Sequence, residues 1–254
     1  MSVLEAGAIF AAGILAGTIN TVVGSGTLIT FPVLLAFGYR PVTANVSNTI
    51  GLVPGSVAGA VGYRAELRGQ GRRTARLAIA SVCGGILGAV LLLTLPASAF
   101  RAIVPAFIAL ALALIVFQPR IGAALAARRA QTGRSLRHPD GGPATFVGVF
   151  VAGIYGGYFG AAQGIMLLAI LGLSLSDSLQ RVNAVKVVLA GLVNLVAGLL
   201  FVVAAHVAWG PVVLIAAGST LGGALGARVG RRLSPRVLRV VIVVVGVAAI
   251  VRLL

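Results

Sequence analysis

Six stretches of this chain contain no Asp, Glu, Lys or Arg: Ala6 to Tyr39, Pro41 to Tyr63, Leu77 to Phe100, Ala102 to Pro119, Gly141 to Ser176 and Val187 to Ala227. A helix needs about 20 apolar residues to cross the hydrocarbon layer, and each stretch holds a span or nearly one. In lipid every backbone polar group must be satisfied within the chain, which leaves helices or a closed barrel. These runs are continuous in Leu, Ala, Val and Gly without period-two alternation, so the barrel is excluded. The composition agrees. Apolar residues make up 59% and charged residues 9%, against roughly 25% charged in soluble domains. The expected fold is an all-α polytopic membrane bundle.

The net charge of +16 is explained by placement. Most of it lies in three arginine clusters: Arg64, Arg68, Arg72, Arg73 and Arg76; Arg120, Arg128, Arg129, Arg134 and Arg137; Arg228, Arg231, Arg232, Arg236 and Arg239. Basic clusters between apolar spans mark cytoplasmic loops of an inner membrane protein. Aromatic interleaving and a recognition motif are missing, so no nucleic-acid partner is expected. The lipid bilayer is the expected surrounding, with anionic headgroups a secondary contact. Cys83 stands alone in the sequence, which excludes a disulfide framework. The N-terminal Met-Ser-Val-Leu-Glu lacks a basic n-region, so the first span is expected to be retained.

An internal repeat organises the spans. Gly84-Gly85-Ile86-Leu87-Gly88-Ala89 recurs as Gly222-Gly223-Ala224-Leu225-Gly226-Ala227, a displacement of 222 − 84 = 138. The same displacement aligns Leu95–Arg101 with Leu233–Arg239, Gly26 with Gly164 and Asn45 with Asn183. Two membrane repeats are read, residues 1–120 and 143–254, joined by a basic cytoplasmic linker over 121–142. The first arginine cluster follows the third segment of repeat one, while its counterpart around His206 to Pro211 has no Lys or Arg. Equivalent loops therefore lie on opposite sides, which predicts inverted repeats. An odd number of crossings per repeat follows, with both termini outside. The segments are read as 3–23, 26–38, 42–63, 77–96 and 99–118, then 144–161, 163–174, 181–205, 211–228 and 237–254. The second of each set is too short to cross comfortably and is expected to be a half-helix or a tilted one.

Those short segments follow glycine-rich runs, Gly17 to Thr27 and Gly153 to Gly164. Glycine costs about 1 kcal/mol per helix position relative to alanine, so the density points to unwinding or to close helix packing of the GxxxG kind. An unwound helix end presents free N–H groups and a positive dipole end to an anion. Asn20, Gly24, Ser25, Gly26, Gln163 and Gly164 are the candidate binding residues here. A second set follows the short segments. Asn45 and Asn48, and likewise Asn183 and Lys186, are three apart and share a helix face. A cation facing a bundle interior is a functional candidate, although Lys186 is near enough to its helix start to snorkel, and the amides can serve helix packing alone. The symmetry would turn the two faces toward each other. All four acidic residues, Glu5, Glu66, Asp140 and Asp177, lie at span ends or in loops, so a cation or proton site built on carboxylates is poorly supported. His206 and Trp209 read as interfacial. No metal-ligand cluster, nucleotide loop or nucleophile–base pair is present, so neither a cofactor nor catalysis is expected.

The run Ala16 to Leu28, followed by Pro32, Gly38, Ala44-Asn45 and Asn48, resembles the signature of the sulfite exporter TauE/SafE family of permeases. Gly24, Gly26, Pro32, Asn45 and Asn48 match residue by residue, and the second repeat carries a weaker copy. There Ile170 replaces the proline and Lys186 replaces the second amide. The resemblance implies a two-repeat permease for sulfite, sulfonates or other small organic anions. The leading expectation is a secondary transporter for a small anion, with a passive anion channel and a non-transporting scaffold as alternatives. Oligomeric state is not legible in the sequence.

Overall fold

The computed structural model describes residues 1–131, 140–175 and 177–229. The expected segment 237–254, the Leu233–Arg239 repeat copy, and Arg134, Arg137, Arg231, Arg232, Arg236 and Arg239 lie outside the described residues.

Every described element is a helix: α1 Val3–Val22, α2 Thr27–Ala36, α3 Pro41–Gly51, α4 Val53–Gly62, α5 Arg64–Leu67, α6 Gly71–Thr94, α7 Ala97–Gln131, α8 Pro143–Tyr158, α9 Gln163–Ser174, α10 Leu179–Ala204 and α11 Trp209–Val229. Five of them, α1, α6, the Ala97–Phe117 part of α7, α10 and most of α11, are long and apolar enough to cross a membrane. Local signals explain the boundaries. Ser2 closes a capping box with Glu5 at the start of α1, Pro41 and Pro143 open α3 and α8, and Ser178 caps α10. Two boundaries differ from the sequence reading. Segment 42–63 is two helices meeting at Leu52, because Pro54 in the first turn of α4 has no N–H to continue the ladder of α3. Its counterpart α10 has no proline and is continuous. In turn, α7 runs through Pro119 to Gln131, so helix extends into the segment read as a polar linker.

Displacement by 138 carries α1, α2, α3–α4 and α6 onto α8, α9, α10 and α11. Packing is reciprocal. α1 lies along α11, and α8 lies along α6. The two copies of the Gly-Gly-x-Leu-Gly-Ala motif make these approaches close. A Cβ on Gly84 or Gly88 would meet the Phe150 or Ile154 carbonyl of α8, and one on Gly222 the Ile14 carbonyl of α1. Small residues bring membrane helices to backbone contact in this way. Gly17, Gly153 and Gly157 belong to the same two seams, against Ser219, Ser81 and Gly85. Much of each glycine-rich run is therefore helix packing, and unwinding is confined to residues 23–26 and 159–162.

The short helices turn back. Tyr39 Oη, in the loop after α2, donates to Glu5 Oε1 in the first turn of α1 at 2.9 Å, so α2 ends where α1 began. At about 15 Å, α2 covers half the hydrocarbon thickness. On the other side, Arg76 near the start of α6 donates to the Asp140 carbonyl just before α8 at 2.8 Å. Arg73 pairs with Asp177 in the loop after α9. Thus α1–α2 is a hairpin entering from one end of the bundle, and α8–α9 is a hairpin entering from the arginine-rich end.

Candidate functional site

The two hairpin turns cross inside the bundle. Gly24 (φ +90°) lies directly on Gly164, and a Cβ on either would overlap the other's backbone. The Gly164 N–H donates to the Gly24 carbonyl at 3.0 Å. Ala162 adopts the left-handed conformation at φ +62° and Gly160 at +78°, which turns the chain from α8 into α9 within four residues.

The crossing is short of hydrogen-bond partners. Among the described residues the N–H groups of Ser25, Gly26, Thr27, Ala161 and Ala162 donate to nothing, as expected where helices start from an unwound turn. Ser25 Oγ and Gln163 Nε2 are buried and unpartnered, as are Asn45 Oδ1, Asn183 Oδ1 and Tyr158 Oη. The Gln163 side chain lies over Gly156, where a Cβ would displace it. Buried polar atoms left unpaired cost about 1–3 kcal/mol each, so each of these calls for a partner that the protein itself does not supply.

Around the crossing, α3 holds the α8–α9 hairpin and α10 holds the α1–α2 hairpin. Asn45 Nδ2 on α3 donates to the Tyr158 carbonyl at the end of α8, 3.0 Å. On α10, Asn183 Nδ2 donates to the Thr21 carbonyl at 3.2 Å. Lys186 Nζ donates to the Asn20 and Thr21 carbonyls at 3.1 and 3.2 Å. Lys186 is fully buried, so it does not snorkel. Its ammonium caps the negative end of α1, where unpaired carbonyls and the helix dipole favour a cation. Asn48 stays within its own repeat: its Nδ2 donates to Thr27 Oγ1 at 3.1 Å, and its Oδ1 accepts from Thr30. No hydrogen bond joins the Asn45/Asn48 and Asn183/Lys186 pairs among the described residues. Asn45 grips the α8–α9 hairpin, whereas Asn48, Asn183 and Lys186 all hold the α1–α2 hairpin. All ten residues singled out in the sequence still gather about the crossing, with the half-buried Asn20 contributing its carbonyl and packing its Cβ 3.0 Å from the Cβ position of Gly26.

Aromatic residues that the sequence reading did not select close one side. Phe159 in the turn packs edge-on to Phe31 at 5.2 Å and near Phe100 and Phe107 at 6.1 and 6.4 Å. Tyr155 Oη donates to the Ala161 carbonyl and so fixes the turn. Tyr155 and Phe159 were signalled only by their place inside a glycine run, and Phe31, Phe100 and Phe107 by nothing local.

At the arginine-rich end Asp177 accepts from Arg73 and, at 2.7 Å, from Arg181. Burial alone would raise the Asp177 carboxyl, but the hydrogen bonds and charges of both arginines outweigh it and hold the group below its usual range. Arg181 also donates to the Arg68 carbonyl, and Gln70 to the Arg181 carbonyl, which ties the two repeats together.

The family described as sulfite exporter TauE/SafE matches residues 9–253. Over its full length the chain is 26% identical to the probable membrane transporter protein YfcA of Escherichia coli K12, covering 91% of that protein. It is 28% identical to a probable membrane transporter protein of Haemophilus influenzae, over 85% of this chain and 82% of that one. It is 30% identical to the probable membrane transporter protein ORF9 of a Sinorhizobium species, over 45% and 44%. No solved structure matches the chain.

Proposed function

The chain belongs to the sulfite exporter TauE/SafE family of membrane transporters, and on that premise we propose that it is a secondary permease for a small anion in an inner membrane. The substrate is of the sulfite or sulfonate kind, or another small organic anion, and it is held where the two hairpin turns cross. The observation behind this reading is the set of unpaired donors there: five backbone N–H groups with Gln163 Nε2, none of them balanced by a carboxylate. All four acidic residues are accounted for at helix ends and loops. Oriented backbone dipoles bind an oxyanion without a full countercharge. Lys186 supplies a nearby cation while fixing the end of α1, and Asn20, Ser25, Asn45, Asn48 and Asn183 shape the turns.

We read the chain as two inverted repeats, 1–120 and 143–254, with 121–142 between them. Hairpins entering from opposite ends support that reading. Rocking of one repeat against the other about the crossing would expose the site alternately to each side.

Flux of sulfite, sulfoacetate and acetate into proteoliposomes tests the proposal. Saturable uptake of at least one anion is expected. Absence of anion flux refutes the function, and undiminished flux in a folded Lys186→Ala/Asn45→Ala variant refutes the site.

A further inference from the structure

At the end of the bundle opposite the arginine clusters, α3 and α7 begin, and α6 and α10 finish, around a cavity of about 670 Å³. Its polar lining includes Arg40, Thr43, Arg101 and His206, and its apolar walls include Leu92 and Leu95. The volume is typical of small-ligand sites. Building on the transport reading, we propose that this cavity is the vestibule in which the permeant oxyanion is first captured, with Arg40 and Arg101 as its binding groups.

Three observations support this. Neither Arg40 nor Arg101 forms a hydrogen bond or ion pair among the described residues, so both guanidinium forks are available for bidentate pairing with an oxyanion. Among the described residues no carboxylate lines the cavity. Glu5, the acidic residue at this end, accepts from Tyr39 Oη and from the Ser2 N–H instead. A concave site carrying one sign of charge between low-dielectric walls concentrates counter-ions, and the N-terminal ends of α3 and α7 add to the field. The third observation is position. Asn45, two residues beyond Thr43 of the lining, grips the Tyr158 carbonyl. Phe100, beside Arg101, packs its ring 5.8 Å from that of Tyr158. Asn45 and Phe100, each near lining residues, thus contact the end of α8 that leads into the turn at the crossing.

The test places one reporter cysteine, Ala97→Cys, in a Cys83→Ala background, reconstituted in phosphatidylcholine vesicles. Its modification rates with an anionic sulfonate-bearing and a cationic ammonium-bearing methanethiosulfonate are compared. The anionic reagent should be favoured, and Arg40→Gln/Arg101→Gln should lower the rate ratio by about tenfold. Methanesulfonate should slow the labelling more than chloride at equal ionic strength. An unchanged ratio in the double variant overturns the proposal, as does protection by added phosphatidylglycerol alone, which would make the cavity a lipid-headgroup site. In flux measurements the double variant should raise KM with saturating turnover retained; lost turnover at unchanged KM would reduce the arginines to a structural role. If the unmodified protein carries no anion, the transport reading fails, whereas the labelling ratio judges the vestibule by itself.

Discussion

The Gly24–Gly164 contact yields a quantitative expectation, because three glycines separate its two ingredients. Gly38 sits at φ +85° with nothing within 4 Å of an added Cβ, so Gly38→Ala carries only the backbone penalty, about 1–2 kcal/mol. Gly164 is helical, and its added methyl would collide with the Gly24 backbone. Overpacking against backbone costs about 3 kcal/mol, offset by the ~1 kcal/mol that alanine gains over glycine in a helix, a net of about 2. Gly24 combines φ +90° with the same collision, so Gly24→Ala should cost about 4–5 kcal/mol. At about 2–4 °C per kcal/mol for a chain of this size, thermal unfolding in detergent followed by circular dichroism should rank the variants Gly38→Ala, Gly164→Ala, Gly24→Ala in order of increasing loss. The last should fall by roughly 8–20 °C. A Gly164→Ala protein as stable as the parent would refute the crossed turns, since without that contact the substitution gains helix propensity and loses nothing.

Asp177→Asn should lower the melting temperature by a few degrees at pH 7. Because its carboxyl titrates below the unfolded value, the parent's advantage should be present above about pH 4 and decline as pH falls through the folded pKa; no advantage of the parent at pH 7 would contradict the Arg73–Asp177–Arg181 cluster. Asn45→Leu leaves the Tyr158 carbonyl without its donor and should cost about 1–3 kcal/mol, measured by the same melts, whereas an equal loss from Asn45→Gln would deny the hydrogen bond its specificity. In intact cells of a Cys83→Ala strain, an impermeant maleimide should label Phe37→Cys and spare Arg68→Cys; equal labelling would remove the opposed ends on which the topology rests.

Segment boundaries were legible because apolar runs in this chain end on unambiguous punctuation: Ser2 with Glu5, Pro41, Pro143, Ser178. The direction of α2 and α9 was not. Ten or twelve apolar residues read the same whether they continue across the bilayer or return; the Tyr39–Glu5 contact separates the cases for α2, and the Arg76–Asp140 and Arg73–Asp177 contacts do so for α9. At the candidate site, glycine density beside Asn20, Ser25 and Gln163 pointed to the right turns. It overstated their extent, because Gly17 and Gly157 obey the same pattern for a packing reason. Pairing was beyond the sequence altogether. Lys186 shares a face with Asn183 by spacing alone, but its partners lie 165 and 166 positions away, and no local rule names the end of α1 as their acceptor. Pro54 was visible, and its consequence for segment 42–63 follows from its missing N–H.

The seam between α1 and α11 also bears on how the protein is made. The glycine face of the first helix, Gly13 and Gly17, is covered by Ile215 and Ser219, which the ribosome reaches about 200 residues later. At roughly 5–20 residues per second that is an interval on the order of 10–40 s. Throughout it the first helix stands in the bilayer with its partner unmade, its end uncapped by Lys186 and its turn uncovered by Gly164. The contacts that close over the α1–α2 hairpin therefore become available only when α9, α10 and α11 have been made.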